Sequence, residues 1–148
     1  MAQRTSPRIH THSLVLDLPA LDPAFTQPLF AHLSLLSSPT PTGGAAGSAM
    51  LFVGGAPLPF AMSRDASVAM ARPNGLPAAT SLSKTNSASL ALSTRLAKRY
   101  AHQIFLSLDL SSFSDGGAAT ADRAMLPLEK ALVVELDKVL ERRRAVKV

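Results

Sequence analysis

The sequence contains neither cysteine nor tryptophan, and aromatic residues make up only 5% of its 148 positions. Without cysteine there is no disulfide framework and no cysteine-ligated metal site. This favours a reducing compartment, and we expect the cytoplasm, with the nucleus as a second location. The few aromatic residues do not alternate with basic ones, as a base-stacking surface for single-stranded nucleic acid would require.

Long hydrophobic runs are also missing. The most apolar stretch, residues 50–62, is interrupted by glycine and proline and is well short of the roughly 20 residues that cross a bilayer as a helix. We therefore expect a soluble protein. Apolar residues still form 47% of the chain, which is enough for a core. Because domains cluster at about 100–150 residues, the expected organisation is one domain over residues 1–148.

The charge balance is basic, with a formal net charge of +5 and a pI near 10.2. Such a balance can indicate binding to nucleic acid or to an anionic membrane. Here the charges are scattered, and the one dense run, residues 142–147, suits the negative pole of a helix C-terminus. A solvated helix end is the favoured interpretation of that run. A small basic nucleic-acid-binding or general protein-interaction domain is the alternative.

A hydrophobic period of two predicts strands in the first part of the chain. Residues 8–18 alternate in this way, and residues 29–36 and 49–53 are apolar and of strand length. The segment between them, 37–48, consists of turn and linker residues, which indicates a hairpin closed by a flexible loop. The Asp-Pro pair at 22–23 is a plausible helix start.

The second part of the chain combines a hairpin, a helix, a strand and a closing helix. Residues 64–71 and 76–82 flank the turn sequence Arg-Pro-Asn-Gly, which predicts a hairpin. Residues 103–110 alternate again, with Phe105 on the face opposite the leucines. A helical period begins near Ser87, with Asn86, Ser87 or Ser89 as its cap.

The closing helix is predicted from residue 121 to about residue 143. Pro127 falls within its first turns or marks its start. The apolar positions of both helices recur at helical spacing. The residues expected in the core are Leu92, Leu96, Tyr100, Leu128, Leu132 and Leu136.

This order predicts an α+β fold, an antiparallel sheet with two amphipathic helices packed on one face. The other face would be apolar, and a large exposed apolar patch usually marks an interface. Alternatively, that face is polar enough to stand in water. The residues assigned to a partner interface on it are Phe52, Val68, Met70, Phe105 and Ser107.

Side chains that suggest catalysis or metal binding are few. His10 and His12 share one face of a strand, but a third metal ligand is not apparent, and His32 and His102 are interpreted as structural. Neither a nucleophile elbow nor a nucleotide-binding glycine loop occurs. Asp109 precedes a serine-rich loop, where it is expected to accept hydrogen bonds from turn amides. The sequence thus favours a protein that is not an enzyme and carries no cofactor or metal; a hydrolase using His10, His12 or Asp109 is the rival.

Five segments of the second two-thirds of the chain are LFVGG (51–55), SVAMA (67–71), LPAATSL (76–82), SLALSTRLAKR (89–99) and QIFLSLDL (103–110). Together these segments resemble the proteasome assembly chaperone 4 family. The closing helix, LEKALVVELDKVL (128–140), is similar in placement and character. Two segments, 37–48 and 56–60, are longer than the family pattern.

The resemblance implies a six-stranded antiparallel sheet with two helices on one side. It also implies a heterodimer with a related small chaperone of the proteasome assembly chaperone 3 type, in which the two sheets form a sandwich. That pair would bind α-type subunits of the 20S proteasome, promote assembly of the α-ring and leave before the particle matures. No cofactor and no catalytic residue is implied.

Overall fold

The computed structural model describes residues 8–37, 47–56, 65–82, 88–111 and 118–145. Its strands are β1 (Arg8–Leu16), β2 (Leu29–Ser37), β3 (Ser48–Gly54), β4 (Asp65–Met70), β5 (Ala78–Ser81) and β6 (Gln103–Leu108). Its helices are α1 (Leu18–Leu21), α2 (Ala88–Tyr100) and α3 (Ala118–Ala145). No helix in these ranges is both long enough and apolar enough to cross a bilayer.

The six strands form one sheet in the order β1-β2-β3-β6-β4-β5. Every neighbouring pair is antiparallel except β3 and β6, which run parallel with Ala49 opposite Ile104 and Val53 opposite Leu108. The α+β class and both predicted hairpins are confirmed, but the wholly antiparallel sheet was wrong because the sheet is mixed. The reason is that β4, β5 and α2 form a long connection between β3 and β6, and such a crossover is what a parallel pair requires.

Helices α2 and α3 pack on one face of the sheet, which we call the covered face. A small apolar cavity shows the layers in contact, since Leu51 and Ile104 of the sheet line it together with Leu96 of α2 and Leu136 of α3. Of the residues predicted for the core, Leu92, Leu128 and Leu132 are fully buried. Leu96 and Leu136 are also buried, with only 1% and 4% of their surface exposed. Tyr100 is half-buried, and its hydroxyl reaches Asp137 of α3.

Close packing of α2 on β4 depends on small side chains. Ser89, Ser93 and Ala97 are fully buried and recur every four residues, so they lie on one side of α2. The hydroxyls of Ser67 in β4 and Ser93 are 2.8 Å apart. Because the Ser93 hydroxyl donates to the Leu90 carbonyl, the Ser67 hydroxyl donates to Ser93. The small side chains let helix and strand approach closely, and both buried hydroxyls are hydrogen-bonded.

The first helix begins earlier than the sequence suggested. Asp17 caps α1 by accepting a hydrogen bond from the Ala20 amide, and Pro19 occupies its first turn. Asp22 instead follows the helix, where its carboxylate accepts a hydrogen bond from the Ala24 amide. The prediction of a helix start at 22–23 was therefore wrong, because an earlier Asp and Pro already supply the same signals.

The bounds of three other predicted segments also differ. Strand β1 ends at Leu16, and α3 begins at Ala118, so that Pro127 lies inside α3 and not at its start. Ser37 and Ser48 belong to strands, and residues 38–46 of the predicted flexible loop lie outside the described residues, as do Asn86 and Ser87. The single domain over residues 1–148 stays a prediction.

Candidate partner-binding face

The sheet has a second face, which we call the uncovered face because α2 and α3 pack on the other side. Successive side chains of a strand point to opposite faces, so the register decides which residues belong to it. The uncovered face consists of the odd-numbered residues of β1 and β6 and the even-numbered residues of β2, β3, β4 and β5.

The register arranges these side chains in rows across the sheet. The residues of one row are Thr11, Ser34, Met50, Phe105, Val68 and Thr80. The residues of the next row are Ser13, His32, Phe52, Ser107 and Ala66. Both rows are polar at the β1 edge and apolar towards the middle of the sheet.

Large apolar side chains on this face are exposed to solvent. The most exposed ones are Ile9 (70%), Val15 (57%), Met70 (51%), Met50 (43%) and Leu36 (40%). Single exposed apolar residues are ordinary on protein surfaces, but these five share one face with the half-buried Phe30, Phe52, Val68 and Phe105. Exposed apolar side chains concentrated on one face of a sheet typically mark a site of association.

Two phenylalanine rings lie at the centre of the uncovered face. The ring centroids of Phe52 and Phe105 are 6.3 Å apart with a tilt of 51°, which is within the range of favourable aromatic contacts. Phe105 also lies opposite Met50 on one side and opposite Val68 on the other. The parallel β3–β6 pair thus brings the aromatic residues of two distant segments together.

All five residues that the sequence assigned to an interface lie on the uncovered face. Phe52, Val68 and Phe105 are half-buried and Met70 is exposed, so each presents surface to a partner. Ser107 is only 2% exposed and offers little contact area. That these residues contact a partner stays a prediction.

The sequence reasoning missed the contribution of β1 and β2 to this face. Ile9, Val15, Phe30, Leu36 and His32 belong to it because the register pairs the odd-numbered residues of β1 with the even-numbered residues of β2, and these with the even-numbered residues of β3. The signal was present in the alternation of residues 8–18 and 29–36. The sequence interpretation used only those alternating residues that face the core.

The strands carry no Asp, Glu, Lys or Arg on the uncovered face within the described residues, and His32 is the one ionisable side chain there. Asp65 points to the helix side, where its carboxylate reaches α2. Asp109 follows β6 at the rim, and its carboxylate accepts a hydrogen bond from the Ser111 amide, as the sequence predicted. Charge is therefore kept away from the centre of this surface.

The charged residues of the helices form pairs between α2 and α3. Arg95 donates two hydrogen bonds to the Glu129 carboxylate, at 2.8 and 2.7 Å, and the bond to Glu129 raises the pKa of Arg95. Arg99 contacts Asp137 at 3.2 Å. Burial, and then the hydrogen bond to Asp137, raise the pKa of Tyr100 to about 12. These contacts fix one helix against the other.

The residues named for the hydrolase alternative do not meet. His10 and His12 lie on β1, and β2 and β3 separate that strand from β6, after which Asp109 follows. Within the described residues, no group of three His, Cys, Asp or Glu side chains could hold a metal ion. The geometry gives the uncovered face, and not a polar cleft, as the candidate site.

A family model described as proteasome assembly chaperone 4 matches residues 44–110. This match confirms the resemblance, and it spans β3, β4, β5, α2 and β6, which carry the centre of the uncovered face. The match supports a role as a chaperone in proteasome assembly. No curated protein and no solved structure matches the chain significantly.

Proposed function

We propose that this chain is a non-catalytic chaperone that pairs with a related small chaperone and binds α-type subunits of the 20S proteasome. The observation that carries the proposal is the uncovered face, whose described strands carry no Asp, Glu, Lys or Arg on it and whose apolar centre lies in the segment that matches the family. The family match supports the role in proteasome assembly. The uncovered face supports binding to other proteins as the way in which that role is carried out.

The uncovered face suits a second sheet as its partner. It is formed by six adjacent strands, and two sheets that stack face to face interdigitate their side chains about 10 Å apart. A related chaperone of the proteasome assembly chaperone 3 type would supply such a surface. A stable interface buries about 1,200–2,000 Å² in total, and the exposed apolar residues on this face would form its core.

Binding of α-type subunits is proposed as the step that promotes α-ring assembly. The formal charge of +5 favours rapid encounter with acidic patches on a subunit, because electrostatic steering acts mainly on the association rate. The pair would leave the particle when later contacts compete for the same surface. We propose the cytoplasm and the nucleus as its locations, which fractionation of cells expressing the tagged chain would test.

The net charge also motivates nucleic-acid binding as a second function. Such binding depends on cations that contact phosphates, and affinity then falls steeply with salt. Against it, Arg95 and Arg99 face carboxylates of α3, and the described strands present no cation on the uncovered face. Tight, salt-sensitive binding to DNA or RNA would favour this alternative over the chaperone.

Co-purification is the experiment that tests the proposed function. The tagged chain, expressed in its own cells and recovered at moderate salt, should bring down a second small chaperone and α-type proteasome subunits, identified by mass spectrometry. Mature 20S particles should be absent from the eluate, since the chaperone leaves before maturation. Recovery of neither the chaperone nor any α-type subunit would contradict the proposal.

A further inference from the structure

We infer that the outer edge of β1 is a self-association site, at which a second copy of this chain adds its own β1 to form one continuous sheet. Strand β1 is first in the strand order, so β2 pairs with only one of its two edges. Among the described residues, no strand pairs with the other edge. The inference goes beyond the proposed function, because it concerns the edge of the sheet and not its face.

The two edges of the sheet differ in how open they are to a further strand. At one end, β5 has only four residues, and a short edge strand is a common protection against pairing. At the other end, β1 has nine residues and pairs with β2 at each of them, without a bulge. Apart from Arg8 at its start, β1 contains no charged side chain of the kind that blocks an edge, and it contains no proline. The long edge is therefore the one suited to accept another strand.

The first half of β1 is open on both faces of the sheet. Ile9 and Thr11 are exposed on the uncovered face, and His10 is exposed on the opposite face. Further along that opposite face, Leu14 and Leu16 are buried. The helices therefore cover only the second half of β1, which leaves room on both sides of the first half for the side chains of an added strand.

Two copies of β1 can pair around a two-fold axis in only one way that uses the whole strand. Residues directly opposite each other in an antiparallel pair point to the same face, so an odd-numbered residue must face an odd-numbered one. With the axis at His12, Arg8 of one copy lies opposite Leu16 of the other, and all nine residues are paired. With the axis at Thr11 or Ser13, two residues at one end of each strand have no partner. The length of β1 thus selects the axis at His12.

The side chains of β1 complement one another in this register. Ile9 of each copy lies opposite Val15 of the other, and these are the most exposed apolar strand residues on the uncovered face, at 70% and 57%. Between them, Thr11 lies opposite Ser13, a pair that can form a hydrogen bond across the strands. Arg8 faces an apolar residue, so no like charges oppose each other. Pairing therefore covers apolar surface without a repulsive contact.

The symmetry has two consequences for the assembly. Because opposed residues keep their faces, the uncovered faces of both six-stranded sheets join into one surface on the same side. That surface would hold two small chaperones side by side. Association also stops at two copies, since each copy uses its long edge and only the short β5 edges remain.

A single introduced cysteine tests the position of the axis, since the natural chain has none. Opposed residues of an antiparallel pair have Cα atoms about 4.5–5.5 Å apart, within the roughly 4.4–6.8 Å that a disulfide spans. Under mild oxidation, the His12→Cys chain should run as a disulfide-linked dimer on a non-reducing gel. His10→Cys is the matched control, because the two copies of residue 10 would be at least about 13 Å apart along the strands, and this chain should run as a monomer. Both positions face away from the uncovered face, so association through that face would link neither.

Sedimentation velocity measures the association itself. The mass of the natural chain should approach twice 15.5 kDa as its concentration is raised from micromolar to millimolar. Replacing both Thr11→Lys and Ser13→Lys opposes like charges at two places across the axis, and association should weaken by about tenfold or more. Replacing Thr11→Lys and Ser13→Glu opposes unlike charges at the same places, and association should be at least as strong as in the natural chain.

Three outcomes would overturn the inference: a natural chain that stays a monomer throughout, equal disulfide yields in the two cysteine chains, or equal association of the two double variants. A mass that grows beyond two copies would overturn it as well. Should His12→Cys fail to fold by circular dichroism, the double variants decide, since Thr11 and Ser13 are exposed. None of these outcomes bears on pairing with the small chaperone, which co-purification tests separately.

Discussion

The carboxylate of Asp65, at the start of β4, accepts a hydrogen bond from the backbone amide of Ser89 at the start of α2, with Oδ2 and N 3.1 Å apart. The first amides of a helix have no partner within the helix, and a negative charge there is favourable. Strand β4 therefore supplies the cap of a helix that begins more than twenty residues later. Capping and docking of α2 on the sheet are thus coupled.

Replacing Asp65 should destabilise the protein through this cap. Asp65→Ala removes the acceptor of the Ser89 amide, and we expect a loss of about 1 kcal/mol in the free energy of unfolding, typical of a lost cap. Asp65→Asn retains an acceptor oxygen and should lose less. Urea unfolding followed by circular dichroism measures both, with Asp122→Ala, an exposed carboxylate of α3, as the control. A variant Asp65→Ala as stable as the natural chain would show that the contact is not a working cap.

The cap also shows which features the sequence could predict. Strands β1 and β6 and helices α2 and α3 follow from local hydrophobic periods, strands β2 and β3 from short apolar runs, and strands β4 and β5 from the turn sequence between them. The Asp65 cap joins residues far apart in the chain, so a search for Ser or Asn beside the helix start could not find it. The parallel β3–β6 pair was missed for the same reason, since pairing depends on which distant segment lies alongside.

For the candidate site, too, local patterns predict some features, and others depend on pairing between distant segments. Alternation within residues 103–110 placed Phe105 away from the helices, and the register agrees. Its contact with the Phe52 ring, however, needs a parallel neighbour that no local pattern indicates. The share of β1 and β2 in the face likewise follows from pairing, because alternation alone does not say which half of a strand faces the helices.

Two neighbouring residues of β6 allow the assignment of faces to be tested. Phe105 lies on the uncovered face, and Leu106 is fully buried beneath the helices. Phe105→Asp should give a folded protein that no longer pairs with the small chaperone, since it places a charge at the centre of the docking surface. Leu106→Asp should not fold, because an unpaired carboxylate in the core costs several kcal/mol. Circular dichroism and gel filtration with the partner distinguish the two outcomes.

Ala91→Asp is the control for the added charge, because Ala91 is exposed on α2, away from the sheet. It should fold and pair as the natural chain does. An unfolded Phe105→Asp protein would show that Phe105 supports the core of the isolated chain. A folded Phe105→Asp protein that still pairs would place the interface elsewhere.

The single tyrosine of the chain gives a direct reading of the contact between α2 and α3. The pKa of Tyr100 is raised from 10.0 to about 12, first by burial and then by the hydrogen bond to Asp137. A raised pKa means that the neutral phenol stabilises the folded state; this contribution is fully present below about pH 10 and is lost as the pH rises towards about 12. The near-ultraviolet absorbance of tyrosinate should therefore rise at a higher pH in the folded protein than in the unfolded chain.

Asp137→Asn tests the cause of that shift. Without the carboxylate, the Tyr100 pKa should move back towards its ordinary value, because both the hydrogen bond to Asp137 and its charge raise it. The absorbance titration resolves this without interference, since the sequence has no tryptophan and no other tyrosine. An Asp137→Asn titration identical to that of the natural chain would mean that burial alone sets the pKa.

Gly47 leaves room for the imidazole of His102, so Gly47→Ala should destabilise the protein. The Gly47 carbonyl accepts a hydrogen bond from the Gln103 amide, and a Cβ at Gly47 would stand only 2.6 Å from Nε2 of His102. The ring would have to leave the Tyr100 carbonyl, at a cost of about 1 kcal/mol, the usual net value of one hydrogen bond. His102→Ala removes the obstacle, so Gly47→Ala should cost much less in that background when a double-mutant cycle is measured by urea unfolding. Equal costs in both backgrounds would show that Gly47 is required by its own backbone and not by the ring.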